Sequence, residues 1–463
     1  MVFGLTATNS GTVLIIYGRP NGLASTNSQL LFQSIFVFPP TFESLNGVED
    51  NDFFGKSLAS GDFNCDGITD LAVGTPDEDV TIDGELRSNV GAINIFYGSV
   101  DGFADLGQGS TFLLQYPAPN SFIEENDRFG WSMAAANFNG DTFNGIACDD
   151  LAVSAPFEDF NAINDVGFVS IFSGSDQGLS ENDVEIINQV TDGLTETIVE
   201  SHDQFGYSLA AGHLTSNGGM GVFDLVVGIP GENIDGEINA GAVQVFKGSF
   251  GGLDNAIPSD VWSQSGDIIG VVEANDRFGS SVAVGNFNGD FLDDVAIGVP
   301  RENLNSAGIN DAGSINIIYS GQFGLETDGN QIFHQDTDGI DGDAEDDDRF
   351  GDALTTGDLN GDSIDDLVIG VPRENNSKGA FHILFGSSDG ITTVDSIFEK
   401  NLGGGEELDE MGYAMTIANF GNGKQLAVGI PGDDSEVGGF NDAGSVEVFS
   451  FNNDVIFKNS FED

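Results

Sequence analysis

The sequence predicts an all-β fold: a seven-bladed β-propeller of four-stranded blades, with the first blade incomplete at the N-terminus. Three observations carry this. Phe-Gly pairs recur at Phe54-Gly55, Phe129-Gly130, Phe205-Gly206, Phe278-Gly279 and Phe350-Gly351, with Met411-Gly412 in sixth place; the spacings are 75, 76, 73, 72 and 61 residues. An alternating apolar run opened by glycine recurs seven times: GTVLIIYG (11–18), GAINIFYG (91–98), GFVSIFSG (167–174), GAVQVFKG (241–248), GSINIIYSG (313–321), GAFHILFG (379–386) and GSVEVFSF (444–451). No stretch shows a helical apolar period, and short strand-like runs bounded by turn residues fill each repeat. Radial repetition of such units leaves only short, protected edges.

Within the first full repeat, Ser57 to Gly61 reads as strand one, Leu71 to Gly74 as strand two, 91–98 as strand three and Thr111 to Tyr116 as strand four. A Gly-x-Pro or its variant closes each second strand, at Pro76, Pro156, Pro230, Pro300, Pro372 and Pro431. The Phe of each Phe-Gly is expected in the layer between blades, where its Gly permits close backbone approach. Val2-Phe3-Gly4 lies seven residues before Gly11, so the chain is expected to begin inside strand two of the first blade. On that reading the sequence is expected to be truncated, with a signal peptide and the first Phe-Gly strand upstream. Residues 1–451 are expected to form one propeller domain, and 452–463 a last short strand (Asp454 to Phe457) and a tail.

Charge bounds the partners. With 76 Asp plus Glu against 13 Lys plus Arg, the net charge is −63. Such a surface repels phosphate backbones and anionic lipid heads and attracts cations, so neither nucleic-acid binding nor membrane insertion is expected. No run approaches the roughly 18 apolar residues of a membrane span. Two cysteines make neither a disulfide framework nor a four-cysteine zinc site. Cys65 and Cys148 read either as two inert thiols or as a cross-blade bridge, which needs Cα atoms within about 7 Å.

The chemistry lies between strands one and two. The first full repeat reads Asp62-Phe-Asn64-Cys-Asp66-Gly67-Ile-Thr-Asp70, with oxygen side chains at loop positions 1, 3, 5 and 9 and glycine at 6. Ca²⁺ takes six to eight hard oxygens, and alternate residues of a tight loop can point inward together. Position 12 is Val73, so the loop is not an EF-hand. The registry returns as Asn286, Asn288, Asp290 and Asp294, and as Asp358, Asn360, Asp362 and Asp366, with Phe291 and Ser363 at position 6. The second repeat offers Asn137, Asn139 and Asp141, then a five-residue insertion before Asp150. Three calcium sites are expected, with a fourth, looser one in the second repeat. His213, Thr215 and Asn217 break the set in the third repeat, and Asn419, Gly421 and Gly423 in the sixth. The alternative is a set of solvated Asn/Asp turns.

Phe-Gly, then D-x-N-x-D-G-x-x-D, then Asp-Leu-Ala-Val-Gly-x-Pro resembles the FG-GAP repeat of the integrin α-subunit propeller, shared with secreted bacterial proteins and a phospholipase D propeller. The resemblance implies calcium in hairpin loops on a lower face and partner binding through upper loops. Here the upper loops include Glu49 to Asp52, Glu124 to Arg128, Glu273 to Arg277 and Glu345 to Arg349. Arg128, Arg277 and Arg349 are expected to pair locally with carboxylates. Binding is expected to respond near Asp77, Glu158, Glu232 and Glu302. The implied protein is a monomeric, extracellular or cell-surface adhesion module for a protein or glycan. The alternatives are the non-catalytic propeller of an extracellular hydrolase, or a structural surface protein. No catalytic residues are expected. His202, His213, His334 and His382 fall at non-equivalent repeat positions, and Trp131 and Trp262 read as packing residues.

Overall fold

The computed structural model describes residues 10–19, 22–32, 44–45, 50–82, 84–103, 110–115, 123–180, 184–189, 199–216, 221–253, 259–304, 308–400, 408–419, 423–433, 444–452 and 455–459. Val2 to Gly4, Glu49, Asn217, Gly421 and Asp454, on which some expectations rest, lie outside them.

Six four-stranded antiparallel sheets form among the described residues, each with its strands in chain order. The first consists of Ser57–Gly61, Asp70–Thr75, Ala92–Phe96 and Ser110–Leu113. The innermost strands of the other five are Met133–Ala136, Ser208–Gly212, Ser281–Gly285, Ala353–Gly357 and Met415–Asn419, and those of consecutive blades lie side by side. The last blade ends on Val455–Asn459, the expected fourth strand.

The structure corrects the expected count of seven blades to six. The first repeat contributes only a hairpin, Val13–Arg19 against Gly22–Leu31. Its Val13 and Leu31 cover Phe54, Val73 and Phe96 of the first full blade. Its other face leaves Leu14, Ile16 and Leu30 exposed, with no blade packed on it among the described residues. The physical reason is that, among the described residues, no innermost strand precedes this hairpin, so it packs by one face on the first full blade and adds no blade of its own.

Each remaining layer between sheets is one apolar cluster. Phe129, Met133, Leu151 and Val153 of the second blade meet Ala72, Ile93 and Ile95 of the first. Similar layers join the second to the third blade, the third to the fourth, the fourth to the fifth and the fifth to the sixth. Phe54, Phe129, Phe205, Phe278 and Phe350 are all buried in these layers, as expected.

The close approach is made by a different glycine as well. Gly91, Gly167, Gly241 and Gly313 open third strands at φ between 85° and 91°. A Cβ there would lie 2.2–2.3 Å from the carbonyl oxygen of the next blade's Phe-Gly phenylalanine. Phe129 N–H donates to Val90 O at 2.9 Å, and Phe278 N–H to Ala240 O at 2.9 Å, locking that contact. Between the sixth and first blades the ring closes differently. Leu58, Leu71, Met415 and Val446 line an open, largely apolar cleft of about 620 Å³, and Lys56 Nζ donates to Tyr413 OH at 3.0 Å.

Gly313→Ala should therefore cost about 2–4 kcal/mol of unfolding free energy, because both its φ and the adjacent Phe350 backbone forbid a side chain. Gly236→Ala, at φ 92° with nothing within 4 Å of the new Cβ, should cost only about 1 kcal/mol. Equal losses in denaturant melts of the two variants would contradict this packing account.

Candidate functional site

The acidic loops sit at the far end of each innermost strand. In the first, the Asp62 carboxylate accepts the N–H groups of Asp66 (3.0 Å) and Gly67 (2.7 Å), and Asn64 Oδ1 accepts that of Asp66 at 3.1 Å. Asp66 accepts from Ile68 at 2.8 Å. The loop at 358–366 repeats this: Asp358 accepts from Asp362 and Ser363, Asn360 from Asp362, and Asp362 from Ile364. At 286–294 the bonds of Asn288 and Asp290 recur, and Asn286 Oδ1 is buried without a partner. In the second blade Asn137 and Asn139 accept from Gly140 and Asp141, and the insertion folds as a small hairpin, Thr142–Phe143 on Ile146–Ala147.

Positions 1 and 3 thus converge on one backbone N–H in the first and fifth full repeats. Each bond occupies one lone pair of an oxygen that has two, so the loops keep capacity for a hard cation. Their donors are carboxylate and amide oxygens alone, which fits Ca²⁺. Among the described residues no three His, Cys, Asp or Glu side chains already stand together as a ligand set, so a bound ion would have to draw them inward.

Position 9 has a structural duty. Asp70 accepts from Phe63 (2.9 Å) and from Gly98 (2.8 Å) at the end of strand three. Asp150, Asp294 and Asp366 make the equivalent pair of bonds. So does Asp224, at 3.0 Å from Leu214 N and 2.9 Å from Gly248 N, although His213 and Thr215 have broken that loop's oxygen set. The ninth-position Asp clamps loop to sheet whether or not the other ligands are present. Burial pushes its carboxyl up, to about 6 for Asp70 and about 7 for Asp366.

The loops also tie blade to blade. Asp62 N–H donates to Asp149 at 2.9 Å, and Asp149 N–H returns to Asp62 O at 3.0 Å. His213 with Asp293 and Asn286 with Asp365 do the same. Between the first two loops a covalent tie is added: Cys65 and Cys148 form a disulfide, with Cα atoms 4.8 Å apart. The insertion supplies the reach. Position 4 is glycine in the other three loops, at φ 69–84°, and Cys65 takes the same left-handed conformation at φ 56°.

At the opposite end of the blades, three of the four carboxylates expected to meet a partner are buried; Asp77 is partly exposed. Glu158, Glu232 and Glu302 are at most 7% exposed, and each accepts from a buried glutamine: Gln115, Gln189 and Gln264. Each faces the Asp that stands two residues before Phe-Gly: Asp127, Asp203 or Asp276. That Asp holds the turn by accepting an N–H from three residues upstream, as from Glu124 to Asp127 at 2.6 Å. Its sixfold recurrence (Asp52, Asp127, Asp203, Asp276, Asp348, Asp409) is legible in the sequence, and its structural duty becomes visible only in the fold. Burial pushes these carboxyls up, Glu232 to about 8 and Asp203, Asp276 and Asp348 to about 7, and raises the paired Asp127 and Glu158 as well.

Of the three arginines, Arg128 alone forms the expected ion pair among the described residues, Nε to Asp77 Oδ1 at 2.8 Å. Arg277 donates instead to Gln204 at 2.6 Å. Among the histidines, His382 is fully buried and stacked on Phe398 at 4.5 Å, and His213 stacks on Phe223 at 3.9 Å. Trp262 packs against the layer between the third and fourth blades.

Comparison with known proteins agrees with this architecture. The FG-GAP repeat matches residues 54–93, 278–316 and 350–384. Human phosphatidylinositol-glycan-specific phospholipase D is 31% identical over 43% of this chain and 20% of its own length. Integrin alpha-5 of Xenopus laevis is 30% identical over 46% of this chain and 17% of its own. The matched region spans about a fifth of these relatives. A Trypanosoma rangeli sialidase structure overlays at TM-score 0.40 with 10% identity, covering 95% of this chain and 57% of that one, too slight a likeness to bear on function. The chain carries FG-GAP repeats on an all-β propeller. Its likeness is to the integrin α type.

Two outcomes follow from the buried groups. Replacing both Cys65 and Cys148 by Ala should cost about 4 kcal/mol, because the bridge closes a loop of 83 residues' separation; an unchanged denaturant midpoint would rule the tie out. The buried Asp–Glu pairs keep protons that an unfolded chain releases above about pH 4. The folded state binds more protons there, so stability should fall as pH rises from about 5 to 8. Melting in chelator across that range tests the sign, and a higher Tm at the alkaline end would refute it.

Proposed function

We propose that the chain is a calcium-binding extracellular β-propeller that serves as an interaction module for a protein or glycan. The observation that carries the reading is the repeated loop: positions 1, 3 and 5 keep the same oxygen chemistry in separate blades, and positions 3 and 5 repeat the same hydrogen bonds in three of them. Asp62, Asn64, Asp66 and Asp70 would hold one ion. Asn286, Asn288, Asp290 and Asp294 would hold a second, and Asp358, Asn360, Asp362 and Asp366 a third. Asn137, Asn139, Asp141 and Asp150 are the looser fourth set. The ion's role is structural, supplying positive charge to carboxylates that lack a basic partner. The cross-blade disulfide supports an oxidising, extracellular setting. The interaction role rests on the integrin likeness and on the repeat architecture, whose rigid blades present loops free to vary.

The likeness to phosphatidylinositol-glycan-specific phospholipase D favours a second reading, in which the propeller is the non-catalytic domain of an extracellular hydrolase. We assign the chain itself no catalysis. A neighbouring catalytic domain on the same polypeptide would decide for that alternative.

Calcium binding to the native state alone should raise Tm, with about 2.7 kcal/mol per site at a hundredfold excess over Kd. Mg²⁺ should substitute poorly, since it demands tight octahedral geometry. Asp66→Asn should remove one ion from the calorimetric stoichiometry and leave the others. A melting curve unmoved by excess chelator sinks the calcium reading.

A further inference from the structure

The residues directly after Phe-Gly converge. Lys56, Trp131, Tyr207, Ser280, Asp352 and Tyr413, one from each blade, line a single cavity of about 240 Å³ at the axis. Arg277, Arg301 and Arg349 complete its wall. We propose that this axial cavity binds the acidic group of an anionic sugar, a carboxylate or sulfate carried on a single ring.

Charge is the first argument. The chain has 76 acidic residues for 13 basic ones, yet four bases and one acid line this cavity. Lys56, Arg277, Arg301 and Arg349 have no carboxylate within salt-bridge distance among the described residues, where the ion pairs are Arg128–Asp77, His202–Asp165 and Lys247–Asp260. The charge they share is one buried acid, Asp352, which feels Arg277, Arg301 and Arg349; four cations against one acid leave a net positive charge for an anion from outside to balance.

Burial is the second. The Nε atoms of Arg277 and Arg349 are buried with no hydrogen-bond partner, and leaving a charged donor unsatisfied is costly. A carboxylate or sulfate offers the oxygens that a guanidinium fork engages two at a time.

The aromatic walls choose the carrier. Trp131, Tyr207 and Tyr413 give the cavity flat apolar faces beside the cations: Lys56 Nζ lies 5.6 Å from the Trp131 ring and 5.2 Å from Tyr413, and Arg277 lies 5.6 Å from Tyr207. A sugar ring presents C–H faces to such walls and its acidic group to the arginines. The volume suits one ring and not a length of peptide. The site deepens the interaction reading by giving it a ligand class, and it rests on neither calcium nor adhesion, since the loops lie at the other end of each innermost strand.

Tryptophan fluorescence of the full chain tests this, with Trp262→Phe leaving Trp131 as the sole reporter. D-glucuronate and galactose 6-sulfate should give saturable changes that weaken with added salt, whereas glucose at equal concentration should give none. Arg277→Gln with Arg349→Gln should weaken binding at least about tenfold. Asp352→Asn should tighten it several-fold by removing the cavity's one repelling charge, an improvement that a merely damaged fold would not produce. No saturable response to either acidic sugar, an equal response to glucose, or unchanged affinity in Asp352→Asn would overturn the proposal. Saturation by a short acidic peptide alone would overturn the sugar assignment in favour of a protein partner. If the chain binds a glycan or matrix panel and the double arginine variant binds it equally well, this site falls while the interaction reading stands.

Discussion

The structure depends on one contact: the backbone of each Phe-Gly pressed against the glycine that opens the third strand of the preceding blade. Only a residue without Cβ allows a carbonyl that close. Where the contact forms, the phenylalanine falls into the inter-blade layer and the following residue lands at the axis. Five residues of innermost strand, about 16 Å at the usual rise, then carry the chain to the acidic loop. All loops therefore arrive at one level, where Asp62 can meet Asp149 and Asn286 can meet Asp365. The axial cavity and the ring of loops are two ends of the same placement.

This placement was largely legible in the sequence, because a sixfold Phe-Gly at nearly constant spacing leaves few alternatives. Strand order, the buried phenylalanines and the position of the loops were all readable. Blade number was not: an alternating run marks a third strand, but a blade also needs a strand at the axis, and among the described residues none accompanies the run at 11–18. The role of position 9 was hidden for a different reason. Its spacing looks like ligand spacing, yet Asp224 shows that two backbone N–H groups suffice to fix it. The Glu of Pro-x-Glu looked like a surface acid because nothing in one strand reveals the glutamine that reaches it from the next layer. The residue after Phe-Gly varies from Lys to Trp to Asp and reads as noise until six copies meet in space.

Electrostatics gives the two ends opposite characters. Acidic side chains crowd the loops, where a hard cation is the natural counter-charge, and they also fill buried pairs with Gln115, Gln189 and Gln264 donating. The buried pairs tolerate each other because burial keeps a proton on them, so they add little repulsion to the folded state below neutral pH. Basic residues are too few to neutralise the surface. Their positions are accordingly more informative than those of the acids, and four of them stand at the axis.

The seam between the sixth and first blades links these features. Every other described junction is filled by an apolar layer, whereas here Leu58 and Val446 remain more than half exposed. What joins the two blades at the axis is polar: Lys56 reaches Tyr413 and lies over its ring. A lysine–tyrosine contact at an exposed site contributes about 1 kcal/mol, far less than a filled inter-blade layer. Lys56 belongs both to this junction and to the axial cavity. An anion held there by Lys56 from the first blade and by Arg277 and Arg349 from the fourth and fifth would draw on both sides of the ring.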